Sequence, residues 1–255
     1  MQRSRRSRED LHRLLLEEGR EILIDEGLET GSSNLTFKRV FDRVESKTGE
    51  RITNASVIRR VWENQAEFQT DVLVSIAQDE ARPEVGGAVD AIASLLDDLD
   101  LSTPESRADA VREICRVGGT ASSAAIGVSA TWPLWISVVA MATATASPDQ
   151  RERIKSGLRE GYRSVAEFWG ANFGALVAVL GLRLRPNCTL EQFVLAVIAY
   201  SEGCSLRQRT SDRIETMFLP TGANGEDQEW SLFAFGLEAL VHQFLEPDPD
   251  FAPPA

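Results

Sequence analysis

Apolar positions recur along most of the chain at three- and four-residue spacing, the repeat that lays one stripe along an α-helix. Glu9 to Gly27 is the first such stretch: Leu11, Leu14, Leu15, Ile22 and Leu23 form a stripe that Gly27 closes. Gly31 to Asn34 reads as a loop that delivers the chain to Thr36. Thr36 can cap a second helix carrying Phe37, Val40, Phe41 and Val44, and Gly49 can end it in the left-handed conformation. Thr53 can cap a third, with Val57, Ile58 and Val61 inward and Asn54, Ser56, Arg59 and Arg60 outward. Asn64 to Ala81 continues as a longer helix with Phe68, Val72, Leu73 and Ile76 on one side, ended by Pro83.

Beyond Pro83 no period-2 strand pattern is visible. Val85 to Leu99 predicts a helix, and Thr103 with Pro104 opens another through Val111 and Ile114. Ser147 starts the longest helix, to about Leu184, with Ile154, Leu158, Tyr162, Val165, Trp169, Phe173 and Leu176 in register. Thr189 to Arg209 and Gln228 to Leu245 complete the set, and the Pro-rich end from Pro247 reads as frayed. The expected fold is all-α, and no internal repeats are present. Residues 1–81 would form a helix-turn-helix domain, with an arm over 1–8 and a connecting helix over 64–81. Residues 82–255 would form a larger helical domain.

Val117 to Pro148 contains no charged residue, a length that invites a membrane-spanning reading. Gly, Ser and Thr dilute its first half and Pro133 interrupts it, so a buried helix pair is the better account and no membrane partner is expected. Pro133 also releases the carbonyl of Ser129 as a possible acceptor.

The hydrophobic fraction, 43% of 255 residues, supports a sizeable core. The formal net charge of −12 argues against nucleic acid at first sight, but the distribution matters more. Between Thr36 and Arg60 stand Lys38, Arg39, Arg43, Lys47, Arg51, Arg59 and Arg60 against only Asp42, Glu45 and Glu50. The arm adds Arg3, Arg5, Arg6 and Arg8. A basic end on an acidic body suits a protein that touches DNA at one place. Arg can read guanine and Asn adenine in the major groove, which makes Asn54, Ser56, Arg59 and Arg60 candidate base or phosphate contacts, with Thr36, Lys38, Arg39 and Thr53 positioning the duplex.

At this point residues 9 to 80 resemble the DNA-binding domain of the TetR family of bacterial regulators. The resemblance is carried by the LLLEEGREILIDEGLET helix, by Leu35-Thr36-Phe37-Lys38-Arg39-Val40, and by Ser56-Val57-Ile58-Arg59-Arg60-Val61-Trp62 leading into Phe68. It departs from the family in a longer turn, Glu45 to Ile52, and in Gln65 where a lysine is common. The resemblance implies a homodimeric transcriptional repressor, a duplex operator as partner, and an effector that shifts the connecting helix. One reading helix contacts few base pairs, so two are expected to enter successive major grooves about 34–36 Å apart. The last two helices resemble the family's dimer-forming pair, with Phe193, Val197, Phe233, Leu237, Leu240 and Val241 as the candidate interface.

A small, largely apolar effector is expected among Trp132, Trp135, Tyr162, Trp169, Asn172 and Phe173, aromatics on two long helices with two polar groups between them. No catalytic set is visible: His12 and His242 are the only histidines, His12 reads as solvated, and no P-loop, GxGxxG or GxSxG occurs. Cys115, Cys188 and Cys204 lack disulfide or metal-ligand spacing, so reduced thiols, a cytoplasmic setting, and no metal or cofactor are expected. The competing class is a helical small-molecule-binding or interaction protein that does not touch DNA, to which the long turn and acidic charge would point.

Overall fold

A computed structural model describes residues 7–27, 32–53, 57, 60–78, 83–145, 147–211, 216–222 and 225–252. Among these lie nine helices and two small antiparallel sheets. The chain divides into two compact units, Met1–Glu80 with Ala130–Arg163, and Ala81–Ser129 with Ser164–Ala255. A division was expected after residue 81; the units part after Glu80, and Ala130–Arg163, expected in the second domain, belongs to the first unit.

In the first unit, α1 (Arg8–Glu26) opens on Ser7, whose hydroxyl accepts from the Asp10 amide, and closes on Gly27 at φ +74°. Helix α2 (Phe37–Thr48) is capped by Thr36, which accepts from the Arg39 amide, and ends on Gly49 at φ +68°. Helix α3 (Gln65–Ala77) is capped by Asn64, and Glu67 reaches back to the Glu63 amide at 2.7 Å. This helix stops four residues short of the expected Ala81, and Pro83 opens α4 instead of ending α3. Leu15, Leu23, Leu35, Val40, Val44, Phe68, Val72 and Leu73 are fully buried between these helices. Helix α6 (Trp132–Ala144) adds Leu134, Trp135 and Val138, and the start of α7 (Pro148–Val179) adds Ile154 and Leu158.

Pro133 sits in the first turn of α6, where a missing amide costs no helical bond, and so begins a helix where interruption was expected. The Ser129 carbonyl accepts from the Arg209 guanidinium at 2.7 Å, which fills its role within the second unit. Among the described residues no single helix is long and apolar enough to cross a membrane.

The second unit holds α4 (Pro83–Leu96), α5 (Pro104–Val128), the rest of α7, α8 (Leu190–Thr210) and α9 (Leu232–Phe244). Thr103 with Ser106, and Thr189 with Gln192, form reciprocal caps at the starts of α5 and α8. Strands, absent from the sequence expectation, occur at both ends of these helices. Strand β1 (Leu182–Leu184) pairs antiparallel with β4 (Leu245–Pro247), and β2 (Thr216–Leu219) with β3 (Gln228–Ser231). Gln228–Ser231 is thus extended, and the last helix starts at Leu232, capped by Ser231. The longest helix stops at Val179 because Gly181, at φ +62°, turns the chain into β1.

The C-terminal segment is ordered past Pro247. Asp248 donates its amide to the Gly181 carbonyl at 2.9 Å, and the Phe251 ring covers Gly181, where a Cβ would come within 2.5 Å of it. The Arg107 guanidinium lies 4.9 Å from the centroid of the same ring. The expected frayed tail is therefore a packed strap at least as far as Phe251.

Cys115 is fully buried on α5, and burial, reinforced by the nearby Glu238 charge, pushes its thiol pKa well up. Cys115 is expected to resist a thiol reagent at neutral pH in the native protein and to react on unfolding, read by counting modified thiols with and without denaturant. Rapid native modification would place it elsewhere.

Candidate functional site

The outward residues predicted between Thr36 and Arg60, called the reader segment after their expected role, divide into three groups. Asn54, Ser56 and Arg59, with Ile58, lie outside the described residues. Lys38, Arg39 and Thr53 have exposed side chains, and Thr36 uses its hydroxyl on the α2 cap. Arg60 is half-buried and donates its amide to the Val57 carbonyl at 3.1 Å. The inward positions are firm: Val57 is wholly buried, and Val61 and Trp62 follow it into the core.

Trp62 closes the segment inside an aromatic cluster. Its ring stacks on His12 at 4.9 Å and meets Phe68 edge-on at 4.9 Å, with Phe37 at 6.3 Å. Its indole N–H donates to Asp71 Oδ2 at 2.6 Å. The other Asp71 oxygen accepts from Arg153 on α7, and His12 Nε2 lies 3.7 Å from Asp71 Oδ2. His12 thus packs one side of its ring on Trp62 while its side chain stays 42% exposed, so the solvated reading holds only in part. Asp71 and Arg153 escaped the sequence reading, since nothing local marks a carboxylate that pairs 82 residues away.

The basic end is less basic than its residue count. Arg43 pairs with Glu18, Glu21 and Asp25 at 3.1, 3.1 and 2.7 Å, and Lys47 with Glu18 at 3.0 Å. Glu18 is buried between them, so the two cations fix α2 to α1. The Asp25 hydrogen bond raises the Arg43 pKa and the Glu18 bond that of Lys47, against opposing desolvation, so both stay charged at neutral pH. Arg39 pairs with Glu26 and donates to the Asn34 carbonyl at 3.2 Å. Among the described residues of this face, Lys38 and Arg51 have exposed basic side chains.

The aromatic residues chosen for an effector fall in different units. Trp132, Trp135 and Tyr162 belong to the first, where Trp135 and Tyr162 meet edge-on at 5.3 Å in its core. Trp169, Asn172 and Phe173 belong to the second, and Asn172 donates its amide to the Phe168 carbonyl one turn back at 2.9 Å. Within the second unit there is a cavity of about 50 Å³, partly open to solvent. Ile92 of α4 and Val111, Ile114 and Cys115 of α5 form one side, with Phe173, Leu176 and Val177 of α7 against them. Phe193, Leu237 and Val241 close it from α8 and α9. Of the predicted effector residues only Phe173 lines it.

Phe193, Val197, Phe233 and Leu237, expected at a dimer interface, are buried in the second unit's own core, and Leu240 and Val241 pack on that core. They are correctly apolar but face inward. The exposed apolar positions of the same helices are Leu195 and Leu206 on α8 and Phe235 on α9, each more than 40% accessible. Ala199 and Ala239 lie exposed beside them in the helical repeat.

Among the described residues no cluster of three His, Cys, Asp or Glu side chains has the geometry to hold a metal ion. No protein-family model, no curated protein and no solved structure matches the chain.

Proposed function

We propose that this chain is a sequence-specific DNA-binding transcriptional regulator, a repressor of the kind the TetR resemblance implies, modulated by a small apolar effector. The observation that carries the reading is the reader segment itself. A doubly capped α2 is followed by a segment whose inward residues, Val57, Val61 and Trp62, are buried, while Lys38, Arg51 and Thr53 stand exposed around it. Such an element offers side chains to a groove without giving up core contacts. The protein acts as a homodimer, because one reader supplies too little specificity in a genome. Exposed Leu195, Ala199 and Leu206 of α8 with Phe235 and Ala239 of α9 form the mating face in this reading. The effector occupies the cavity of the second unit, and no catalytic role is proposed.

A gel-shift assay with the upstream region of the protein's own gene, at stated salt, tests the reading. A saturable shift that competitor DNA of unrelated sequence fails to remove supports it, and its absence at low salt rejects it. Lys38→Ala is expected to weaken binding alike across sequences and to reduce the slope of log K against log salt by about one, the value for one lost phosphate contact. An unchanged slope removes Lys38 from the interface.

A second reading draws on the ion pairs. Because Arg39, Arg43 and Lys47 are all engaged by carboxylates of α1, the local positive charge is reduced. A helical small-molecule-binding protein that does not touch DNA would show ligand binding and no shift in the same assay.

A further inference from the structure

We infer that the cavity of the second unit selects a small hydrocarbon, a guest with no hydrogen-bonding group of its own. The inference deepens the effector half of the proposed function and rests on it. Small-molecule pockets are mostly apolar but ordinarily carry a few placed polar groups that orient the guest. This one has none. Its walls are aliphatic and aromatic, and the sole side-chain heteroatom among them is the Cys115 sulfur, a weak donor at best.

The backbone offers no substitute. Most of the lining residues sit within α4, α5, α7, α8 and α9, where the backbone groups bond mainly along the helices, and hardly any polar atom faces the space. Leu180, whose amide donates to the Leu176 carbonyl at 2.9 Å, completes the wall with Leu182 and Leu245 of the paired strands β1 and β4. A water molecule needs two to four polar partners to be held, so such a space favours an apolar guest over solvent. An alcohol, ether or amine entering it loses its bonds to water and regains nothing. That deficit is equivalent to a tenfold or greater loss of affinity for each group.

n-Pentane and diethyl ether are nearly the same size and differ in one central oxygen, which makes the comparison independent of which end enters first. The full chain, without DNA, is titrated with each. Trp169 provides the readout, because its ring stacks at 5.2 Å on Phe173 of the cavity wall, and Trp169→Phe identifies its share of the fluorescence. Pentane is expected to give a saturable change at concentrations at least tenfold below those needed for the ether. Leu176→Phe and Val177→Phe, two fillings of the same wall, are each expected to weaken pentane binding tenfold or more, with folding checked by thermal melts.

Equal affinity for the ether, no saturable response to pentane, or pentane binding unchanged in both folded fillings would overturn the inference. The operator assay is separate. Pentane binding by a protein that shifts no operator leaves the hydrocarbon site standing and rejects the regulator reading. An operator shift in a protein blind to pentane does the reverse.

Discussion

Trp62→Ala is expected to destabilise the first unit by about 3–5 kcal/mol, the usual cost of truncating a buried aromatic ring, and to abolish operator binding at protein concentrations that saturate the parent. The ring is 2% exposed and touches His12, Phe37 and Phe68, so its removal leaves a cavity that three stiff neighbours cannot collapse into. It also strips Asp71 of the indole N–H at 2.6 Å, leaving that carboxylate to Arg153 and the more distant His12. Trp62→Phe separates the two effects. It restores most of the packing but not the hydrogen bond, and is expected to cost about 1–3 kcal/mol, the range for a charged acceptor losing its donor. Denaturant unfolding followed by circular dichroism measures both variants. Should Trp62→Ala lose less than about 1 kcal/mol, the reader would not be anchored through this ring.

The features legible in the sequence were those set within one helical turn. Thr36 and Thr103 each cap the helix they were expected to open, because the capping bond spans only three residues. Gly49 ends α2 with the positive φ expected of it. Longer-range features were hidden. Strands of three or four residues are too short to show a period of two, and Trp230 lies three residues from Phe233, so a strand and a helix read as one apolar stripe. The Pro-rich end suggested fraying, yet a single aromatic, Phe251, packs against Gly181 and meets the Arg107 guanidinium over its ring.

The candidate site followed the same division. Inward positions of the reader were readable from spacing, whereas the ion pairs that engage Arg43 and Lys47 depend on how α1 lies on α2. Hydrophobicity alone cannot distinguish a helix stripe facing its own core from one facing a second copy. On α8 the stronger stripe, Phe193 with Val197, turned inward, and the weaker one, Leu195 with Ala199, was left outside. Nor can it mark a cavity, which consists of ordinary core residues lacking a neighbour on one side. Aromatic residues pointed to Trp135 and Tyr162 of the first unit, while the empty space lay in the other unit among mainly aliphatic residues with Phe173 and Phe193.

Three glycines of α7 should answer alanine in three different ways. At Gly161 a Cβ would lie 2.1 Å from the Ala77 carbonyl oxygen, an overlap with backbone that no side-chain rotation relieves. Gly161→Ala is therefore expected to force α3 and α7 apart and to cost about 3 kcal/mol, the upper part of the range for overpacking, with operator binding weakened because α3 carries Asp71. Gly157 faces Val74 and Ala77 at 3.2 to 3.3 Å, contacts that a few tenths of an ångström relieve. Its alanine variant should fall within about 1 kcal/mol of the parent, helix propensity offsetting the squeeze. Nothing lies within 4 Å of a Cβ at Gly170, so Gly170→Ala gains the propensity difference undiminished and should stabilise by about 1 kcal/mol. Propensity by itself predicts one sign for all three. An ordering in which Gly161→Ala is the most stable of the three would mean that α3 and α7 do not cross where Ala77 meets Gly161, and the anchoring of the reader through Asp71 and Arg153 would lose its frame.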